Sequence, residues 1–557
     1  MAGGNYYLGA GVTYSADNPI TFNIIGGAGG AGAVGSGTSI AGGAGGKGGN
    51  AGAYIVSSAT SESDSATAAG GGGGNAGSDG LGGSGSANGG AGGNAIASAK
   101  NLGYFGFSAA LADAIAEGGA GGYATNQGTG GAAGTATIAG VVYAYGNSAQ
   151  ADAHVRGGSG GAGGSFNAGY TGVGVAGASE TLDDQVAGKT KGGTSSTLRL
   201  YQYVLGGRGG SGYTTAGAAG NALATLGYTD RSNTFIVNGT EEVSGGNGGS
   251  TTGKDTTAMP GGSSSGTVSV AGDNKVYANV TSQGGAGGDG GRLYFTDYGH
   301  IYHVAPGNGG AGGLTYSGAT ADTSSVAFTG TADAKAVAVG GAGNLGDGAG
   351  YSGGAGAMAI ATANATGETA IASAYQTGGP GGIGRYTASG GAGAGSTLDN
   401  AVQATSRGNT VTLHQTATGG AGGYSIGGAA GAAGGAAAIL DLTDASGAPR
   451  IYVQNEAYGG AGGNSSDKAG APGGNALDDV SLTGSHTVYV TSVGTGGRGG
   501  ATGYENQFTQ VTREAGSGQT ATGGAGGSIT GSIDAISTGG ALAEGVLHLT
   551  GGAGGSG

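Results

Sequence analysis

The sequence predicts an all-β repeat protein: stacked units of glycine tracts and β-hairpins forming an elongated, solenoid-like rod. Three observations carry this. Glycine supplies 148 of 557 residues with only 6 prolines, a composition without the strict triplet and imino-acid content of collagen. Glycine tracts return at nearly constant spacing. Between them lie short segments in which β-branched and aromatic residues alternate with small or polar ones, the period-two signature of a half-buried strand.

The tracts come first, because missing a repeat misreads the whole fold. A GGxGG-like motif begins at Gly26, Gly70, Gly118, Gly157, Gly207, Gly245, Gly284, Gly309, Gly340, Gly378, Gly419, Gly459, Gly497, Gly523 and Gly551. From Gly118 to Gly157, Gly207 to Gly245, Gly245 to Gly284, Gly340 to Gly378, Gly419 to Gly459 and Gly459 to Gly497 the intervals are 38 to 40 residues. Within a unit the order is tract, loop, tract, strand, turn, strand. From Gly459 it reads GGAGG, a loop, a second glycine pair, NALDDVSLT, the turn GSH and TVYVTSV. Valines 488 and 490 share one face of the last segment, and Thr487, Tyr489 and Thr491 the other. Between Gly284 and Gly309 the two tracts read as fused, followed directly by the hairpin RLYFTDYGHIYHVA.

Glycine in a regular element costs roughly 0.5–1 kcal/mol against alanine, so a chain this rich in it places it where a side chain cannot fit. Polyglycine-II-like tracts, with three residues per turn and no internal hydrogen bonds, satisfy their backbones by bonding sideways to one another. GGxGG is the matching register: two positions face neighbours and the third, as at Ala28, Lys47, Arg208 and Arg498, points outward. After the second tract, Gly-Asn-Ala-Leu/Ile recurs at Asn94, Asn221 and Asn475. There Ile96, Leu223, Leu398 and Leu477 are expected to line one apolar ladder, each unit burying its face against its neighbours.

Charge and composition narrow the function. The net charge is −14 and no basic run occurs, so the chain is not expected to bind nucleic acid. No apolar stretch approaches eighteen residues, so no membrane insertion is expected. Cysteine is absent, which removes disulfides, thiolate metal sites and thiol nucleophiles together. Matches to GxGxxG carry no weight in so glycine-rich a chain without βαβ units. His300 and His303, three apart on a strand, face opposite sides. The expectation is a protein that is not an enzyme and carries no cofactor.

Two other features bear on ligands. Leu-Asp-Asp/Asn recurs early in the first strand of a unit, at Asp183 and Asp184, Asp399 and Asn400, and Asp478 and Asp479. Solvated carboxylates that keep edges apart explain these; the second reading is weak calcium sites between adjacent hairpins, through oxygen ligands. Aromatic clusters at 103–107 (GYFGF) and at Tyr294, Phe295, Tyr298 and Tyr302 can present rings to sugars or to another protein, or pair across a hairpin. No regular Thr-x-Thr ladder of the kind that orders ice runs through the units.

The motif GGAGG at 419–423, 459–463 and 523–527, with AMAIATANATGETAIASAY at 357–375, resembles the glycine-rich repeats of bacterial surface and biofilm-matrix proteins. The tracts are also similar to the polyglycine sandwich of phage tail-fibre adhesins. Both resemblances imply a structural or adhesive role outside the cell. The units divide the chain into a partial repeat at 1–25, tandem repeats at 26–550 and a partial repeat at 551–557. The expectation is a structural subunit of an extracellular filament, sheath or biofilm matrix. It would self-associate head-to-tail as the C-terminal tract (Gly551, Gly552, Gly554, Gly555) meets the N-terminal hairpin (Tyr6, Tyr7). The alternative is an adhesin for cell-surface glycans, and a segment of a longer array would also begin and stop in this way.

Overall fold

Alternating segments such as ADAIAE and ADAHVR can bury one face only, and in the computed structural model they bury it against each other. The structure describes the chain apart from residues 9–12, 15–18, 36–41, 58–62, 79–85, 103–108, 165–171, 292–293, 298–299, 304–305, 325–329, 445, 447 and 504–520, with backbone alone at 13–14, 294–297 and 300–303. The described residues are all-β, without a helix, and their strands pair mostly in parallel.

The two strand segments of a unit are split between two ladders, and at Ala359–Thr377 one continuous strand serves both. In the first ladder Ala51–Ser57 bonds to Ala95–Asn101, and further on Ala222–Thr229 bonds to Ser264–Gly272 and that strand to Thr315–Thr323. In the second, Ser63–Ala69 bonds to Ala109–Glu117, then Ser148–Arg156, then Gly193–Leu205, then Thr234–Ser244 and Lys275–Gln283. The turns fall where the sequence places them, but the partners differ: sequence-adjacent strands bond to the next unit, not to each other. A true antiparallel hairpin does form at Tyr294–Asp297 and His300–His303. It is inserted between a tract at 284–290 and one at 307–313, so those tracts are not fused; both belong to the unit whose strands are Thr315–Thr323 and Thr331–Val339.

The ladders face each other across a thin core. Ala95, Ala97 and Ala99 of the first oppose Ala110, Ala112, Ala114 and Ala116 of the second, all buried. Further along the stack Leu198, Leu200, Leu226, Val268 and Val280 take over. Contact across the gap is close: a Cβ on Gly239 of the second ladder would stand 2.5 Å from Val270 Cγ2 of the first. Val488 and Val490 are buried on one face, as the alternation predicts. Of the expected apolar ladder, Leu398 alone is buried; Leu223 is 43% exposed, while Ala222 beside it is buried. Leu398 pairs through Ala438 with the buried Asp478, whereas Leu477 pairs through Ala437 with Thr397, so Leu398 stands one residue farther along its strand, on the inward face.

The glycine tracts flank the strands and bond with a three-residue period. One glycine of each triplet donates to the same tract of the next unit: Gly26 N–H to Ala69 O, Gly70 to Glu117, Gly118 to Arg156. The next donates the opposite way, to the neighbouring column: Gly49 N–H to Gly27 O, Gly71 to Gly49, Gly93 to Gly71. This second set forms two unbroken relays. One runs from Gly4 to Gly552 and the other from Met1 to Gly555, with N···O distances of 2.7 to 3.1 Å. The third residue of the triplet faces solvent, and Ala28, Lys47, Arg208 and Arg498 are all exposed. The bare Cα is a steric necessity at Gly246, where a Cβ would lie 2.0 Å from Gly207 O.

Candidate functional site

Asparagines stitch one unit to the next where the second tract enters the first strand. Asn5 Oδ1 accepts the Asn50 N–H, Asn50 Oδ1 the Asn94 N–H, and Asn94 Oδ1 the Thr135 N–H, at 2.8 to 3.0 Å. Ser179 Oγ does the same for Asn221, and Asn221 Oδ1 for Ser263. The recurring Gly-Asn-Ala is therefore a junction: the amide occupies a backbone donor that the change from tract to strand leaves free.

The paired acidic motifs are a second kind of junction. Asp184 and Asn400 hold positive φ (49° and 48°), a conformation that Asp and Asn tolerate better than most residues. Each donates its N–H to the next unit, to Thr225 O and Ile439 O, and each accepts a backbone N–H there, from Gly227 and Asp441. The strand that follows keeps the same inward face: Leu182 and Val186 are both buried, as are Leu398, Val402 and Ala404. Asp183 and Asp399 are exposed, and Asn400 Nδ2 donates to Asp399 Oδ1 at 3.1 Å. Asp479 Oδ1 accepts from Ser532 Oγ at 2.9 Å. Asp478, expected among solvated edge carboxylates, points into the core, fully buried, and accepts from Asn455 Nδ2. Burial pushes its carboxyl up to about 6. The five aspartates fall in or just after three separate strands, and among the described residues no group of three or more His, Cys, Asp or Glu could hold a metal ion.

Core carboxyls occur elsewhere too. Glu241 is buried beside Gln202, whose Nε2 donates to Glu241 Oε1 at 3.1 Å and to Thr225 O at 2.8 Å. Desolvation pushes Glu241 up to about 8, against the opposing hydrogen bond from Gln202. Glu180 accepts the Ala136 N–H at 3.0 Å and is pushed by burial up to about 7.

On the outer face of the second ladder, parallel register sets Asp113 directly beside Asp152, and His154 in the next row. Ser65 Oγ donates to Asp113 Oδ2 at 2.9 Å and Gln150 Nε2 to Asp152 Oδ2 at 2.8 Å. His154 Nε2 lies 3.8 Å from Asp113 Oδ1, and its ring sits 5.3 Å from Tyr201 and 5.9 Å from Tyr203. Burial, with the Asp113 charge adding to it, pushes Asp152 up to about 6, and burial lowers His154. Burial raises Asp113 as well, so the cluster sets two carboxyls that hold a proton more readily than free aspartate beside an imidazole that holds one less readily. Sequence reasoning passed over it, although the matching segments ADAIAE and ADAHVR carry Asp at the same place 39 residues apart. Farther along, Tyr452 and Tyr489 stack at 5.1 Å with planes 7° apart, and Tyr375 Oη meets His414 Nδ1 at 2.7 Å. Residues 103–107 fall outside the described residues, as do Tyr298 and the side chains of Tyr294, Phe295 and Tyr302.

The two ends of the stack are open. Ile529–Ser537 bonds to Ala476–Gly484, and Ala543–Thr550 to Thr487–Thr495, leaving the far edge of each last strand uncovered. Leu547 and Leu549 are 38% and 39% exposed there. At the other end Tyr6, Tyr7, Leu8 and Ile25 are 58%, 54%, 45% and 63% exposed. Gly552 and Gly555 donate to Gly527 O and Gly524 O, ending the two relays, and Gly551 and Gly554 lie beside them on the open edge.

No family model and no curated protein matches this chain. Among solved structures, a springtail antifreeze protein from Granisotoma rainieri, described as a bundle of nine polyproline type II helices, is 21% identical over 35% of this chain and 87% of its own, with a TM-score of 0.09. A periplasmic alginate epimerase is 8% identical over 66% of this chain and 76% of its own, with a TM-score of 0.10. At such scores neither likeness carries an argument about fold or function.

Proposed function

We propose that this protein is a non-catalytic structural subunit of an extracellular filament, sheath or biofilm matrix, a solenoid-like rod of polyglycine-II-like tracts and strands that lengthens by end-to-end addition of copies. The observation that carries the reading is the unbroken repeat: two hydrogen-bond relays and two parallel strand ladders carry the same bonding from unit to unit. A stack whose units bond only to their neighbours lengthens by adding more of the same unit, and head-to-tail addition of such units does not close. The three-residue bonding period and the outward third residue support the polyglycine-II description of the tracts. Electron microscopy over a range of protein concentrations tests the function: fibres of constant width that lengthen with concentration are expected, and discrete particles at every concentration would refute it. Immunogold labelling of intact cells tests the location.

A second reading, a glycan-binding adhesin, is favoured by the outward tyrosine stack of Tyr452 and Tyr489, since flat exposed rings suit sugar faces. Glycan-array binding that is lost in Tyr489→Ala would support it. Calcium at Asp183, Asp184, Asp399, Asp478 and Asp479 remains a proposal; a melting temperature unchanged by calcium or a chelator would sink it.

A further inference from the structure

Each unit is one layer of the stack, and its second tract runs straight into its first-ladder strand, so the two form one side of the rod. The bonding identifies the outward places on that side. Gly92, Gly261, Gly312, Gly356, Gly393 and Gly473 donate to the carbonyls of Ala132, Ala311, Ala355, Ala392, Ala432 and Ala525 in the next layer, and those six alanines are all exposed. Three residues beyond each comes the junction residue, and two further on the first outward residue of the strand. From Asn88 to Thr530 no layer places a charged residue at any of these outward places, although the chain carries 18 Lys and Arg and 32 Asp and Glu. The charges lie on other sides: Arg208 and Arg498 on the first tract, and Asp152, Glu242, Lys335 and Glu456 on the outer face of the second ladder. Asp183, Asp399 and Asp479, one outward place farther along their strands, mark the margin of the uncharged side.

Two neighbouring layers of this side stand apart from the rest. At the junction Asn94, Asn221 and Asn475 each lend a side-chain oxygen to the N–H of the next layer, at Thr135, Ser263 and Ser528. Leu314 and Met358 stand at the same place, their carbonyls bonded as those of the asparagines are, and neither side chain has an oxygen to lend. They are 57% and 62% exposed, and Tyr316 and Ile360, paired in register two residues on, are 36% and 54% exposed. A bond between layers is given up here for apolar surface left in water. A contiguous exposed apolar patch rimmed by polar residues marks an interaction surface.

We infer that this side of the rod packs face to face against the same side of a second copy, with Leu314, Tyr316, Met358 and Ile360 of both copies at the contact. The contact lies along the side of the rod and does not depend on how copies meet end to end. Charge selects the partner. A chain of net charge −14 repels its own copies on any approach that brings its carboxylates together, and this side brings none. A cationic partner would be drawn to the acid-bearing faces instead. Size agrees. With layers about 4.8 Å apart, the patch and four uncharged layers on each side of it make a strip roughly 43 Å long. Tract residues rise about 3.1 Å each, so the strip is roughly 25 Å wide. That outline of about 1,000 Å² per copy exceeds the roughly 800 Å² that each partner buries in a stable pair. Identical faces related by a two-fold axis close with two copies, so the product is a pair of rods.

The test compares the full chain with Met358→Asp and Ala421→Asp by sedimentation and negative-stain electron microscopy. Both substitutions place a carboxylate at an exposed site, one in the patch and one at an outward place of the first tract, and both are expected to leave the melting curve unchanged. Wild type and Ala421→Asp are expected to form side-by-side pairs of twice the single-rod width. Met358→Asp is expected to need at least tenfold more protein to do so. Ile360→Asp, at the neighbouring exposed place, is expected to act as Met358→Asp does and guards against a fault peculiar to one position. Wild-type rods of single width at every concentration overturn the inference. So do pairs that persist equally in Met358→Asp and Ile360→Asp, or that weaken equally in Ala421→Asp. Width reports this pairing and length reports end-to-end addition, so either can fail without the other.

Discussion

Glu241 places a carboxyl inside the core, and its protonation state should set how firmly the middle of the stack holds. The group is fully buried, and its folded value of about 8 lies far above the 4.5 of a free glutamate. The folded state therefore keeps a proton that the unfolded state gives up. The resulting stability is complete below about pH 4.5, falls as pH rises toward 8, and is gone above it. At about 1.4 kcal/mol per pH unit, the loss between pH 4.5 and 9 is on the order of 5 kcal/mol for this one group. Glu241→Gln stays neutral throughout and still accepts from Gln202, so it should remove the loss. In a stack whose stability is a sum of neighbour terms, the effect should be local. Hydrogen exchange of Gly193–Leu205, Thr234–Ser244 and Lys275–Gln283 should accelerate between pH 5 and 9 in the wild type, beyond the intrinsic pH dependence, and much less in Glu241→Gln. Equal acceleration in the two proteins would refute the reasoning.

The remaining expectations are smaller in scope. Asp478→Asn should slow exchange in the Ala476–Gly484 strand by an amount that grows from about pH 4 to pH 6 and is constant above it, because burial raises that carboxyl from 3.8 to about 6; a pH-independent change would point to packing instead. Gly246→Ala should destabilise by more than about 3 kcal/mol in thermal melts, because its Cβ would meet a backbone oxygen that cannot move aside, whereas Arg208→Ala at an exposed third position should stay within about 0.5 kcal/mol. Asn221→Ala removes one inter-unit hydrogen bond, leaves the Ser263 N–H without its acceptor, and should cost about 1 kcal/mol.

Much of this architecture is legible in the residues, and the gaps have physical causes. The triplet logic of GGxGG is readable because steric exclusion acts position by position, which is why Lys47 and Arg498 sit where side chains are free. Strand alternation is readable for the same reason, as at Val488 and Val490. Which strand bonds to which is not: a short turn serves equally for a hairpin and for a chain crossing between two ladders, and only the thin alanine core decides. The alignment of Leu398 with Leu223 fails because Leu398 is the third residue of its strand and Leu223 the second of its own, so they present opposite faces. The aspartate and histidine neighbours on the outer face became visible only once parallel register placed residue 113 beside 152.

The relays running from Gly4 to Gly552 and from Met1 to Gly555 have a mechanical consequence. Every second hydrogen bond of each relay, like those of the ladders, bridges successive layers, so a pull on the ends loads every bond between two layers together instead of unzipping them one at a time. Layers then act as links in series, each as strong as its whole set of bonds. Tension should leave most of the stack intact and part it at the single link with the fewest bonds or the most buried charge. The Glu241 layer above pH 8 is such a link, so breaking force should depend on pH even though no charge is exposed at the break until it opens.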